Sequence, residues 1–168
     1  MFRKIIVVLA ISLFAVPAFA ADSPTPEDIN NRMFAQARAN VKSVSAVTLK
    51  SWIEKEKDFL LLDVREPNEV EAARIEAKDH VEIPRGVVEF IFPQRNEKAD
   101  TTVVVYCLLG SRSAVVADVL TKYGYTNVYN LDGGIMSWIK AGYPVANFIG
   151  NFRMKDLESI WLNFLPEN

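Results

Sequence analysis

Two short and almost entirely apolar runs limit the fold of this chain more than any other feature. Residues 59–64 (FLLLDV) and 102–106 (TVVVY) are rich in leucine, valine and aromatic residues, with little polar alternation. Such runs are typical of strands that are buried on both faces, as in a parallel sheet. Parallel strands need crossover connections, which are usually helices. The pattern therefore predicts an α/β fold.

The rest of the chain supplies further strands and helices around these two runs. Residues 81–83 and 127–131 predict two more strands. The expected architecture is a mostly parallel sheet of about five strands, flanked by helices on both faces. The helices predicted from apolar spacing cover residues 26–41, 49–57, 69–73, 86–92, 114–123 and 135–141, with Thr25 and Thr48 as the N-caps of the first two.

The first twenty residues have the parts of a secretory signal peptide. Arg3 and Lys4 precede an apolar stretch over residues 5–14, and residues 17–20 (PAFA) end in the small residues that a signal peptidase recognises. We expect cleavage between Ala20 and Ala21, a periplasmic or secreted mature protein, and no stable membrane insertion after cleavage. A retained anchor is the alternative, but the apolar stretch is short against the roughly 20 residues of a membrane span.

Without residues 1–20 the chain has about 148 residues, the size of one domain. Residues 21–46 form a polar, proline-containing leader and the first helix, and residues 47–147 form the domain. Residues 148–168 are expected to form a helical tail that packs on the body, with a partner-binding surface as the alternative. This prediction depends on the apolar residues Phe152, Met154, Leu157, Ile160, Trp161, Phe164 and Leu165 of the tail.

Charge and composition argue against nucleic acid, metals and cofactors as partners. The full chain has 19 Lys and Arg against 21 Asp and Glu, and removal of Arg3 and Lys4 leaves a mature net charge of −4. With no basic run, nucleic acid is not an expected partner. One cysteine and one histidine cannot build the usual metal clusters, so neither a metal nor a cofactor is predicted. The single histidine, His80, is expected on the surface or at a strand edge.

Cys107, the only cysteine, directly follows the predicted strand at 102–106. The loop after it contains Gly110 and leads into a helix, an arrangement that directs backbone N–H groups and a helix dipole at one place. A thiol there should lose its proton more easily and can receive an anionic substrate. The alternative is a buried structural cysteine, since free cysteines mostly behave as small apolar residues. An internal disulfide cannot form in either case.

A second group of charged residues follows the strand at 59–64. Asp63, Arg65 and Glu66 are either an acid–base set or an ion-pair network that fixes the strand end near the Cys107 loop. The network is the commoner arrangement in proteins. We therefore predict that Asp63 and Arg65 support the site rather than react in it.

Over residues 47–145 the chain resembles a single-domain rhodanese, a family of sulfurtransferases. The resemblance depends on the order and spacing of four segments across about a hundred residues. They are LLDVRE at 61–66, IPRG at 83–86, CLLGSRS at 107–113, and LDGG at 131–134 followed by Trp138 and AGYPV at 141–145.

The resemblance implies a sulfane-sulfur transfer in which Cys107 is the nucleophile and carries a persulfide. The donor would be a small anion such as thiosulfate or a protein persulfide, and the acceptor a thiol or cyanide. Backbone N–H groups of the loop would cradle the substrate, which makes Leu108, Leu109, Gly110, Ser111, Arg112 and Ser113 the predicted binding residues. Arg112 would hold an anionic donor or leaving group, or would brace the loop against an acidic residue.

Two features of the loop refine this expectation. Four residues separate Cys107 from Arg112, as in the sulfurtransferases of this superfamily, whereas the related phosphatases have a loop one residue longer. Leu108 and Leu109 are apolar where many thiosulfate-using members have polar or basic residues, which favours a neutral or protein-borne substrate. The alternative function is a catalytically weak rhodanese module that acts in binding or regulation.

Overall fold

The structure is a computed structural model that describes residues 23–153. The predicted signal peptide at residues 1–20 lies outside the described residues. The helices are α1 Pro26–Asn40, α2 Ala46–Glu54, α3 Pro67–Ala72, α4 Val88–Ile91, α5 Ser111–Lys122 and α6 Gly134–Lys140. The strands are β1 Lys42–Val44, β2 Leu60–Asp63, β3 Asp79–Glu82, β4 Thr102–Tyr106, β5 Asn127–Leu131, β6 Val145–Asn147 and β7 Gly150–Phe152. Short 3₁₀ helices at Arg85–Val87 and Phe92–Arg95 flank α4.

The caps of the first two helices show one correct and one wrong prediction. Thr25 caps α1 as expected: its hydroxyl accepts a hydrogen bond from the Asp28 N–H at 3.1 Å, and the Asp28 carboxylate accepts from the Thr25 N–H at 3.0 Å. Thr48 is not the N-cap of α2. Ser45 is, because its hydroxyl accepts the Thr48 N–H at 3.1 Å, so that the helix begins at Ala46.

The five-stranded sheet is entirely parallel and has the strand order β1-β5-β4-β2-β3. This confirms the predicted α/β class. β4 is the central strand, and its Val104 lies opposite Leu61 of β2 and Tyr129 of β5. The short strand β1 was not predicted, because only one of its three residues, Val44, is buried and the segment therefore lacks a strand pattern.

The core lies in two layers, one on each face of the sheet. Successive residues of β4 alternate between them: Val103 and Val105 pack with α5, while Val104 packs with α2 and α6. Trp138 of α6 is buried in the second layer, as predicted for a core residue. His80 is exposed on the edge strand β3, also as predicted.

The chain after the domain does not begin as the predicted helix. Phe148 and Ile149 form a turn, and β7 returns antiparallel to β6, with Val145 opposite Phe152. The extended backbone of this hairpin corrects the helix prediction for residues 148–152. The remainder of the tail, residues 154–168, lies outside the described residues. Among the helices of residues 23–153, none has both the length and the apolar character that a bilayer crossing requires.

Candidate active site

Cys107 lies at the carboxyl end of β4, in the middle of the sheet. In open α/β sheets, ligands bind beyond the carboxyl ends of the strands. The thiol is 1% exposed and packs in the same core layer as Val105 and Val116. It lies at the base of a loop whose next residues, Leu108 and Leu109, are 39% and 63% exposed. Cys107 is therefore buried in the core, whereas the next two side chains of the loop are exposed to solvent.

The loop directs backbone N–H groups away from the helix that supports it. The carbonyls of Cys107 and Leu108 accept hydrogen bonds from the N–H groups of Ile135 and Met136, at 2.8 and 3.1 Å. In a trans peptide the carbonyl and the following N–H point in opposite directions, and no peptide bond here is cis. The N–H groups of Leu108 and Leu109 therefore point away from α6. Gly110 donates its N–H to the Cys107 sulfur at 3.2 Å.

Further N–H donors come from the first turn of α5. Within residues 23–153, the N–H groups of Ser111, Arg112 and Ser113 donate to no protein acceptor, as is normal for the start of a helix. Together with the N–H groups of Leu108 and Leu109, they are five backbone donors without an acceptor in the described part of the protein, all in the six residues that follow Cys107. Such an arrangement can stabilise an anion or a developing negative charge.

Close packing against the turn before α6 fixes the position of the loop. Gly133 and Gly134 both have positive φ angles, +69° and +58°. A Cβ atom on Gly134 would overlap the Cys107 carbonyl oxygen and would lie 2.6 Å from that of Leu108. Only glycine lets the two carbonyls approach the start of α6 so closely. The sequence motif LDGG is thus explained by packing under the loop.

We expect Gly134→Ala to displace the Cys107 loop. The left-handed backbone costs about 1–2 kcal/mol with a side chain present, and the overlap with two carbonyls forces the loop to move. The rate of Cys107 alkylation should fall strongly. The free energy of unfolding, measured by urea denaturation, should fall by a smaller proportion. Gly124→Ala is the matched control, since Gly124 also has a positive φ, +97°, but no atom lies within 4 Å of its added Cβ. Equal loss of reactivity in both variants would contradict this role for Gly134.

Ser113 connects the thiol to a buried amide that sequence analysis did not identify. Its hydroxyl is 3.4 Å from the Cys107 sulfur and 2.6 Å from Oδ1 of Asn130, and both Ser113 and Asn130 are buried. A hydroxyl has one proton, so it can donate a hydrogen bond to only one of the two at a time. The polar Asn130 between Tyr129 and Leu131 of strand β5 was the signal that could have revealed this residue.

Arg112 braces the loop, which was one of its two predicted roles. Its Nη1 and Nη2 donate to the two carboxylate oxygens of Glu69 on α3, each at 2.7 Å. Hydrogen bonding from Arg112 lowers the pKa of Glu69, and the same bonds raise the pKa of Arg112, with a smaller contribution from the Cys107 sulfur. In the sequence Glu69 is evident only as the start of a predicted helix, because its partner Arg112 is 43 residues away.

Asp63 and Arg65 form a buried ion pair, as predicted for a supporting network. Arg65 donates from Nε to Oδ1 of Asp63 at 2.9 Å and from Nη2 to Oδ2 at 2.6 Å. It also donates to the backbone carbonyl of Glu69, within α3, and to that of Ala73, directly after α3. Burial opposes the charge of Arg65, but the bonds and charge of Asp63 outweigh it and the pKa of Arg65 is raised. Glu66, the third member of the predicted set, is exposed and only begins α3.

A cleft of about 620 Å³ lies at the opposite edge of the sheet, at the amino ends of the strands. Its lining includes Asp58, Asp79 and Asp100 together with Arg95 and Lys98, so that charges of both signs are mixed. Cys107 is not among its lining residues. The carboxyl edge, which carries the thiol and the unpaired N–H groups of the loop after it, is therefore the candidate active site. No grouping of side chains suited to a metal ion occurs within residues 23–153.

Comparison with known proteins identifies the family. A family model described as the rhodanese-like domain matches residues 45–141, more than half of the chain. The chain belongs to the rhodanese-like domain family. The match covers β2, the Cys107 loop and α6, and so contains every element of the candidate site.

Relatives of this rhodanese domain include enzymes of sulfur transfer. A sulfurtransferase of Allochromatium vinosum is 30% identical over 105 residues, which cover 62% of this chain and 94% of that protein. The polysulfide-sulfur transferase homodimer of Wolinella succinogenes shares the fold, with a TM-score of 0.63 at 24% identity over 72% of this chain and 89% of that chain. Membership of the family and the first of these relatives support a sulfurtransferase activity in general.

A second solved structure is also similar to this chain. It is a protein from Rhodopseudomonas palustris described as of unknown function and a possible tyrosine phosphatase. It is 25% identical with a TM-score of 0.61, over 69% of this chain and 92% of that chain.

Proposed function

We propose that this protein is a rhodanese-type sulfurtransferase in which Cys107 carries the transferred sulfur as a persulfide. The observation that carries the proposal is the placement of the thiol: its sulfur accepts the Gly110 N–H at 3.2 Å, below a set of N–H groups with no protein acceptor. Covalent catalysis by cysteine needs a thiolate held in place and donors for an anion.

The reaction proceeds in two displacements at sulfur. With thiosulfate as donor, the Cys107 thiolate attacks the sulfane sulfur, and the sulfur–sulfur bond of thiosulfate breaks. Sulfite leaves with the bonding electron pair, and Cys107 becomes a persulfide. An acceptor thiolate or cyanide then attacks the outer sulfur, and Cys107 leaves as the thiolate again. No external oxidant or reductant is consumed.

The single cysteine determines where the sulfur goes. A second cysteine in the same chain could displace the outer sulfur and form an internal disulfide, but the chain has none. The sulfur of the Cys107 persulfide is therefore delivered to another molecule. A periplasmic or secreted location, which the N-terminal sequence indicates, would put this transfer outside the reducing cytosol.

Mass spectrometry of the mature protein tests the proposal. Treatment with thiosulfate or an alkyl persulfide should add one sulfur atom to the peptide that contains Cys107, and cyanide should remove it as thiocyanate. Protein alkylated beforehand is the control and should gain no sulfur. An unmodified thiol after every donor would contradict the sulfurtransferase proposal and favour a binding module.

A parallel assay separates sulfur from phosphate chemistry. The four residues between Cys107 and Arg112 make a small cradle, and we expect negligible hydrolysis of an aryl phosphate. Turnover of the aryl phosphate faster than sulfur transfer would overturn the proposal.

The N-terminal residue of the mature protein tests the proposed location. In protein from the periplasmic fraction it should be Ala21, and detection of Met1 in the membrane fraction would contradict cleavage.

A further inference from the structure

The positive charge of Arg112 is matched by a carboxylate, although Arg112 is the only cation in the catalytic loop at residues 107–113. Glu69 accepts two hydrogen bonds of 2.7 Å from it, and the two side chains are 24% and 30% exposed. A bidentate pair of this kind is short and fixes both side chains. Each partner stabilises the charged form of the other, so both are ionised at neutral pH.

Ionisation of Cys107 makes the combined charge of the Cys107, Arg112 and Glu69 side chains negative. The pKa of Arg112 is raised mainly by its hydrogen bonds to Glu69 and to a smaller extent by the charge of Cys107. When the thiol is ionised, the three side chains together carry one net negative charge. Attraction for an anion from this part of the site is then left to the backbone N–H groups. The exposed residues of the loop, Leu108 and Leu109, add no charge.

We propose that Glu69 sets the preference of the site among sulfur donors that differ in charge. By neutralising Arg112, it makes the site favour donors with less negative charge than the thiosulfate dianion, such as an alkyl persulfide. This inference rests on the proposed function, because it concerns the donor of the same reaction. Glu69 contacts Arg112 and not the reacting sulfur, so it acts as a specificity-determining residue.

The local structure provides a variant that removes the charge and keeps the fold. Glu69 also accepts the Glu66 N–H at 3.2 Å in the first turn of α3. In Glu69→Gln the amide oxygen can still accept a hydrogen bond there or from Arg112, while the negative charge is lost. Glu71 lies on the same helix and is exposed. Glu71→Gln therefore makes the same change in net charge away from Arg112 and is the matched control.

Alkylation of Cys107 measures the local charge without requiring any sulfur transfer. Because Cys107 is the only cysteine, the rates with anionic iodoacetate and neutral iodoacetamide both report on this one thiol. Their ratio is insensitive to the thiolate fraction, which affects both rates equally. Any attraction by Arg85, which follows β3 at the same edge, is common to all variants. Glu69→Gln should raise the iodoacetate-to-iodoacetamide ratio about fivefold, as expected for one unit charge removed near the reacting atom.

The controls and donors complete the test. Glu71→Gln should leave the ratio within about twofold of wild type, since an exposed charge is screened over roughly 10 Å, and Arg112→Gln should lower it. Loading of Cys107 by thiosulfate should accelerate in Glu69→Gln by more than loading by an alkyl persulfide. An unchanged alkylation ratio in Glu69→Gln would overturn the role of Glu69 even if the wild type transfers sulfur. A wild type that accepts sulfur from no donor would overturn the proposed function and this inference together.

Discussion

Cys107→Ser should abolish sulfur transfer while the protein stays folded. A serine hydroxyl is a much weaker nucleophile than a thiolate at neutral pH and cannot form a persulfide, so the rate should fall by at least about a thousandfold. The side chain is similar in size, and its oxygen can still accept the Gly110 N–H that now reaches the sulfur at 3.2 Å. We expect the loss in free energy of unfolding to be about 1 kcal/mol, because an apolar-like thiol becomes a buried hydroxyl.

The chemical control for this variant is the wild type blocked at its thiol. Since the chain has one cysteine, iodoacetamide modifies only the proposed nucleophile. Blocked wild type and Cys107→Ser should give the same residual rate of thiocyanate formation from thiosulfate and cyanide. A rate in Cys107→Ser clearly above that of the blocked protein would show that another group carries the sulfur. Urea denaturation establishes that the variant is folded.

Most of the parallel sheet could be predicted from the sequence because β2, β4 and β5 carry a strong local signal. β4 and β5 were predicted with the bounds that the structure shows, since both are bounded by polar or glycine-containing turns. β1 and the β6–β7 hairpin were not predicted. Each of these strands has only three residues, so the local pattern is weak. β1 forms by pairing with the distant strand β5, whereas β6 and β7 pair with each other across a two-residue turn.

In the candidate site, too, residues that are close in sequence could be predicted, whereas partners that are distant in sequence could not. Cys107, Gly110 and Arg112 were evident because they are neighbours in one loop. Glu69 is 43 residues from Arg112, and Asn130 is 17 residues from Ser113, so their roles depend on how α3 and β5 pack around that loop. The sequence left two roles open for Arg112, and Glu69 supplies the acidic partner that the brace requires. The placement of Glu69 is a property of the fold rather than of the loop.

Arg65→Met should be the most destabilising of the substitutions considered, because it leaves a buried carboxylate without its partner. Asp63 and Arg65 are 2% and 3% exposed, and their closest contact is 2.6 Å. Removal of one member of such a pair typically costs about 3–5 kcal/mol. The carbonyls of Glu69 and Ala73 also lose their hydrogen bonds from Arg65, which loosens the segment that places Glu69 against Arg112. Chemical denaturation should show the lower stability, and activity should fall with it.

Two further variants distinguish an unpaired buried charge from a general effect of losing a cation. Lys122→Met removes a surface partner of Asp118, whose contact is also short at 2.7 Å, but the lysine is 68% exposed. Its cost should be below about 1 kcal/mol, as for other exposed pairs. The double variant Asp63→Leu with Arg65→Met removes both charges and should recover part of the loss, since the uncompensated carboxylate is then gone. A double variant less stable than Arg65→Met would show that the carboxylate of Asp63 stabilises the strand end through its other bond, to the Arg65 N–H at 3.0 Å, and not through the ion pair.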